Sequence, residues 1–167
     1  MQILRSLVSW ISRGSDLLLR LVLSGLVAGL VYVLGRQVLT RYLFNFSEYW
    51  TEELARYFLI WMTFLGGALA VRRRAHISMG LAVMHLKGAT AEWVRRLKDL
   101  CVAVFAAVML MAGGSYVQVA MEQRTPVTQI PVGLIYLPIP LAGGLMLLFL
   151  LEQALAGPAI PSQAKAE

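Results

Sequence analysis

The chain has 167 residues, 59% hydrophobic and 14% charged, with a mean hydropathy of +0.70. Soluble domains average about 45–50% apolar and about 25% charged residues, so this composition fits a bilayer as solvent. A helical span takes about 20 residues. Four or five spans would fill the chain, leaving no room for a large catalytic domain, a nucleotide-binding fold or a zinc module.

Net charge is +6, from 15 Lys+Arg against 9 Asp+Glu. In a soluble protein such a balance can signal nucleic acid. Here the basic residues flank apolar runs, so they read as orientation signals and no nucleic-acid partner is expected. Cys101 is the only cysteine, which excludes an intramolecular disulfide and a cysteine metal cage. The apolar run after Arg13 is long, with no small-residue cleavage site at the usual distance. The first span is therefore expected to stay in the membrane as an anchor.

Four apolar segments follow in chain order, predicting an all-α integral membrane protein. The first, Leu17–Leu39, carries Arg20 and Arg36 near its ends. Their separation of 16 residues corresponds to a rise of about 24 Å, so their heads can snorkel to opposite interfaces. The second, Leu54–Val71, lies between Arg56 and the run Arg72-Arg73-Arg74. The third, Leu100–Met121, is uncharged; its helix is expected from about Thr90, with Trp93, Arg95, Arg96 and Lys98 in the headgroup layer. The fourth lies between Arg124 and Glu152, where Pro138 and Pro140 should kink or break the helix. The predicted spans are about 17–39, 54–71, 98–121 and 130–151, in one domain over residues 1–156. Residues 157–167 form a short polar tail.

Basic residues set the expected orientation. The N-terminal flank, the connection between spans two and three, and the tail together hold eleven of them. The opposite side holds four: Arg36, Arg41, Arg56 and Arg124. Both termini are therefore expected in the cytoplasm. The connection Thr40–Glu53 then faces the periplasm. It is dense in aromatics (Tyr42, Phe44, Phe46, Tyr49, Trp50) and is expected to form an interfacial amphipathic arm helix, with Ser47 as N-cap of a helix that continues through Trp50 into the second span.

Candidate chemistry is sparse. His76 and His85 are the only histidines and share one connection, a poor arrangement for haem ligands from facing helices. His76 reads instead as a cap on the second span, a headgroup contact or a contact to a neighbouring chain. No cofactor or metal site is expected. Glu52, Glu53 and Arg56 form the densest polar cluster beside a span. The i,i+4 and i,i+3 spacings let both carboxylates meet Arg56 on a helix. The cluster can be a latch holding the arm or a partner, an exposed ion pair worth at most about 0.5 kcal/mol, or a proton-coupling site. As a latch, it makes Arg56 more consequential than Glu53, because Glu52 can replace Glu53. Paired small residues (Gly25 and Gly29, Gly66-Gly67, Gly113-Gly114, Gly143-Gly144) suit close helix packing. No carboxylate lies in the middle of a span. A chain that transported ions through its own core would usually place polar groups at the midplane. The pattern therefore points to an accessory subunit. A membrane anchor of a redox enzyme and a small homodimeric exporter are the alternatives.

Residues 35–79 read GRQVLTRYLFNFSEYWTEELARYFLIWMTFLGGALAVRRRAHISM. The run contains Arg36 and Arg41, then Trp50-x-Glu52-Glu53-x-x-Arg56. Trp61, Phe64-Leu65-Gly66, a basic cluster and His76-Ile77 follow. This resembles the small membrane subunit of tripartite ATP-independent periplasmic (TRAP) transporters, as does the later Tyr136-Leu137-Pro138. The resemblance implies a bacterial inner-membrane protein that packs against a large elevator-type membrane subunit as scaffold. The large subunit would carry the substrate and sodium sites, and a periplasmic binding protein would deliver an organic acid. It further implies that Arg36, Arg41, Trp50, Glu52, Glu53, Arg56, Trp61, Gly66 and His76 serve structural or partner contacts. Arg72, Arg73, Arg74, Arg95 and Arg96 would meet headgroups or a partner at the cytoplasmic face.

Overall fold

The computed structural model describes residues 2–46, 48–73 and 89–156; of residues 2–11, 13, 89–92, 95, 155 and 156 it describes the backbone alone. The helices are α1 (Gln2–Phe44), α2 (Tyr49–Arg72), α3 (Ala89–Ala120), the short α4 (Val132–Tyr136) and α5 (Pro138–Ala156). No strand occurs among the described residues. Among the described residues, four segments are long and apolar enough to cross a membrane: Gly14–Phe44, Tyr49–Arg72, Arg96–Ala120 and Val132–Ala154.

The helix α1 has 43 residues, a length of about 64 Å against a hydrocarbon core of about 30 Å. Its inward stripe runs Ser12, Asp16, Leu19 and Val33, all buried. Leu17, Leu18, Leu21, Val27, Val31 and Val38 point outward and are exposed, as a lipid-facing helix requires.

The aromatic connection differs from the expected arm helix. The helix α1 continues through Phe44 and α2 starts at Tyr49, so the aromatic segment divides between two long helices. Asn45 adopts a left-handed conformation (φ 50°) between them, a role asparagine tolerates well. The N-cap is Glu48, whose side chain makes no capping bond. Thr51 closes the first turn by donating its hydroxyl to the Glu48 carbonyl at 2.6 Å. Ser47, the expected cap, lies outside the described residues. Tyr42, Phe44, Phe46 and Tyr49 are all exposed.

The central helix is α5, which packs against α1, α2 and α3. One-third of the most apolar stretch of the fourth span is buried (33%), against 11% of the first. Ala142, Met146, Ala68 and Ala106 form one core cluster with Val71 and Met109. Phe149, fully buried, forms a second with Leu19 and Leu65. Small residues set the closeness of α3 and α5. A Cβ on Gly143 would lie 2.7 Å from the Ala106 carbonyl and 2.8 Å from the Leu110 amide; one on Gly113 would lie 2.8 Å from Ile139 Cγ2. Gly29 and Gly67 likewise face Phe58 and Met146, whereas Gly25, Gly66 and Gly114 face open space. Thus one residue of each of these pairs packs inward.

The fourth span is broken where its prolines lie. The short α4 ends at Tyr136, Leu137 links it to α5, and Pro138 is the first residue of α5. There the missing amide is harmless, because the first turn of a helix leaves its N–H groups unpaired anyway.

Candidate functional site

Polar side chains gather at the two ends of the bundle. Arg72 ends α2 and lies between α1 and α5, with only 17% of its side chain exposed. Its Nε is 3.4 Å from Asp16 Oδ1 on α1, and its Nη1 is 4.0 Å from Glu152 Oε2 on α5. Nη1 also donates to the backbone carbonyl and hydroxyl oxygens of Ser12, and the Ser12 hydroxyl donates to Glu152. The guanidinium lies 5.0 Å from the centre of the Phe149 ring. Gln153 donates to the Val71 carbonyl at 3.0 Å. Asp16 also pairs with Arg20 one turn along α1. This is a three-helix lock in which two carboxylates face two guanidinium groups. Arg72 therefore points into the protein, toward α1 and α5. The run Arg72–Arg74 divides: Arg73 is exposed, while Arg74 and His76 lie outside the described residues. Arg96 is exposed on α3, and the side chain of Arg95 is not among those described.

The opposite end is organised around Glu53 and Arg36. Glu53 is buried although it opens a span. It accepts a 2.8 Å hydrogen bond from the Thr128 amide in the connection between α3 and α4. That connection is a tight hairpin, because the Thr125 amide donates to the Ile130 carbonyl and the Val132 amide to the Gln123 carbonyl. Thr125 and Thr128 hydroxyls lie 2.9 Å apart, and the Tyr57 hydroxyl is 3.3 Å from Thr128 Oγ1. A carboxylate on a backbone amide is a charge-assisted bond, stronger than a neutral one. Glu53 therefore pins the hairpin to the start of α2. Arg36 pairs with Glu48 at 2.9 Å and lies 4.9 Å over the Trp50 ring. Gln37 donates to Glu52 at 3.3 Å. These contacts join α1 to α2.

The expected pairing of Glu52 and Glu53 with Arg56 is not formed. No ion pair or hydrogen bond of Arg56 is present among the described residues. The reason is competition: an amide from a distant loop and a glutamine from α1 take the carboxylates. Glu53 is accordingly the more deeply engaged residue, contrary to the expected ranking. Arg41 is exposed and likewise has no such partner among the described residues. Trp61 is half-buried against the Leu19, Leu65 and Phe149 cluster, which makes it a packing residue within the chain.

Arg56 instead lines an open cleft of about 340 Å³ between the first turns of α2 and the hairpin with α4. Tyr49, Glu52, Glu53, Tyr57 and Ile60 form the α2 wall, and Thr125, Val127, Val132, Ile135 and Tyr136 are on the other. The spacing 49, 52, 53, 56, 57, 60 could mark this face as helical, but its opposing wall comes from loop residues with no comparable pattern. Thr125 and Thr128 carried no sequence signal of this role.

Among the described residues, four apolar helices long enough to cross a bilayer, with carboxylates only towards their ends, define a multi-pass membrane protein. The class narrows to a family by sequence. Residues 30–157 match the model described as Tripartite ATP-independent periplasmic transporters, DctQ component. The chain belongs to this family of TRAP small permease subunits, and it is a transporter component, not an enzyme. A TRAP transporter small permease protein of Haemophilus influenzae is 27% identical over 153 residues, covering 92% of both chains. The isethionate TRAP transporter permease protein DctMQ of Oleidesulfovibrio alaskensis is 30% identical over 145 residues. That match covers 79% of this chain but only 22% of the longer relative. The sialic acid TRAP transporter small permease protein SiaQ of Vibrio cholerae is 41% identical over 54 residues, 32% of this chain and 31% of that protein. The redox-anchor alternative is not favoured by these relationships.

Proposed function

We propose that the chain is the small permease subunit of a TRAP-type secondary transporter in a bacterial inner membrane. It packs against a separate large membrane subunit as a scaffold. The complete system takes up an organic acid, delivered by a periplasmic binding protein, by coupling to sodium. The observation that carries this reading is the DctMQ relative. There the region similar to this chain makes up 22% of one permease protein. With no carboxylate in the middle of a span, the chain is expected to take its transport path from a partner.

Both termini are cytoplasmic in this reading, following the eleven-to-four excess of basic residues. The Arg72 lock then lies at the cytoplasmic end and the Glu53 end at the periplasmic one. Arg41 and the exposed aromatics Tyr42, Phe44 and Phe46 face the headgroups or the partners. Arg73, Arg74, Arg95, Arg96 and His76 serve the cytoplasmic interface. The test is co-expression of the tagged chain with the large membrane subunit of its own system. Recovery of both in one complex after mild solubilisation is expected; elution of the tagged chain alone under conditions that keep both folded would contradict the reading.

A further inference from the structure

The cleft at the Glu53 end is left over from the bundle's own contacts. It is neither a lock nor a core defect, since its walls are ordered by chemistry. Along α2, Glu52, Arg56 and Ile60 follow one another at intervals of four residues and all line the cleft. Successive members are about 6 Å apart along the helix axis, so the face descends from a carboxylate to a guanidinium to an aliphatic side chain. Across the cleft, Val132 and Ile135 extend the aliphatic part and Tyr136 adds an amphipathic ring. Arg56 has no ion-pair or hydrogen-bond partner among the described residues, and Glu52 has only the 3.3 Å bond from Gln37. The cleft stands where a membrane span begins, at headgroup depth.

We propose that this cleft binds one zwitterionic aminophospholipid, a phosphatidylethanolamine. A phosphate is the partner that a free arginine at this depth fits best, because the planar guanidinium bonds phosphate oxygens in pairs. The ammonium group of the same headgroup lies on the water side of its phosphate, where Glu52 stands. The glycerol and acyl chains lie on the other side, where Ile60, Val132 and Ile135 stand. The sequence of ammonium, phosphate and hydrocarbon in the lipid thus matches the sequence of Glu52, Arg56 and Ile60 on the helix. The open side of the cleft gives the acyl chains an exit to the bilayer. A free anion would use Arg56 alone and would leave the aliphatic wall uncovered.

The experiment is native mass spectrometry of the full chain, delipidated and then titrated with phosphatidylethanolamine, phosphatidylglycerol, diacylglycerol or inorganic phosphate. One phosphatidylethanolamine should be retained at energies that strip the others, with phosphatidylglycerol weaker and diacylglycerol weakest. Arg56→Gln should lower retention of both phospholipids about tenfold, the factor that 1.4 kcal/mol represents. Glu52→Gln should abolish the preference for ethanolamine over glycerol while sparing phospholipid binding. Glu122→Gln, outside the cleft, controls for loss of a surface charge and should behave as the parent chain. Equal retention of diacylglycerol, an unchanged Arg56→Gln variant, or binding of inorganic phosphate that excludes the lipid would each overturn the proposal. Displacement of the lipid when the large subunit is added, with a cross-link from a cysteine at Val127 to that subunit, would also overturn it by identifying a protein occupant.

Discussion

The two polar ends of the bundle solve different problems with similar residues. At the Arg72 end, carboxylates and guanidinium groups from three helices cancel one another inside the protein. At the other end, the buried carboxylate of Glu53 meets a backbone amide, with no ion pair among the described residues, and the nearby Arg56 is left facing a cleft. The first arrangement is closed and holds helices. The second holds a hairpin and leaves one charge for something outside the chain. An arginine next to carboxylates in sequence is therefore no guide to which end performs which task.

Replacing Arg72 should produce the largest effect. Arg72→Ala leaves Asp16 and Glu152 partly enclosed and short of a cation, which costs about 3–5 kcal/mol when one partner of a buried pair is removed. Thermal unfolding in detergent should fall accordingly. The triple variant Arg72→Met, Asp16→Asn, Glu152→Gln should recover most of that loss, because no unpaired charge remains. A lock that matters only through its charges passes this test; failure of the triple variant would assign the stability to shape.

Glu53→Ala should act locally. It frees the Thr128 amide at a cost of about 1.5–3 kcal/mol, the net worth of a hydrogen bond to a charged group. Hydrogen exchange should rise in residues 123–132 and stay unchanged around Arg72. Equal acceleration at both ends would break the distinction between them. Arg36→Gln should do least. Its side chain is 43% exposed and its pair with Glu48 lies at the surface, where such pairs contribute at most about 1 kcal/mol. A shift larger than that of Glu53→Ala would give the α1–α2 connection a weight the geometry does not.

Much of the architecture is legible in the sequence because it follows from solvent. Runs of apolar residues bounded by charge become spans, and Pro138 ends up where a helix can start. The helix beginning near Thr90 also follows, since α3 starts at Ala89. The aromatic stretch misleads because its interfacial composition is equally good for the last turn of one helix and the first of the next. The pairing within the polar cluster misleads for a different reason. Helical spacing identifies which neighbours can meet, whereas Glu53 is claimed by Thr128, 75 residues away. Asp16, Arg72 and Glu152 each stand at the end of a separate span. Their meeting depends on which helices pack together, and there Phe149 of α5 packs against Leu19 of α1 and Leu65 of α2.

The account rests on the chain being a supporting subunit with no transport path of its own. Reconstitution into liposomes under an inward sodium gradient tests this most directly. Three preparations are compared: the chain alone, the chain with the large membrane subunit, and both with the periplasmic binding protein loaded with its organic acid. Uptake should appear only in the third and be absent with the chain alone. Uptake by the chain alone, above that of empty liposomes, would contradict the account.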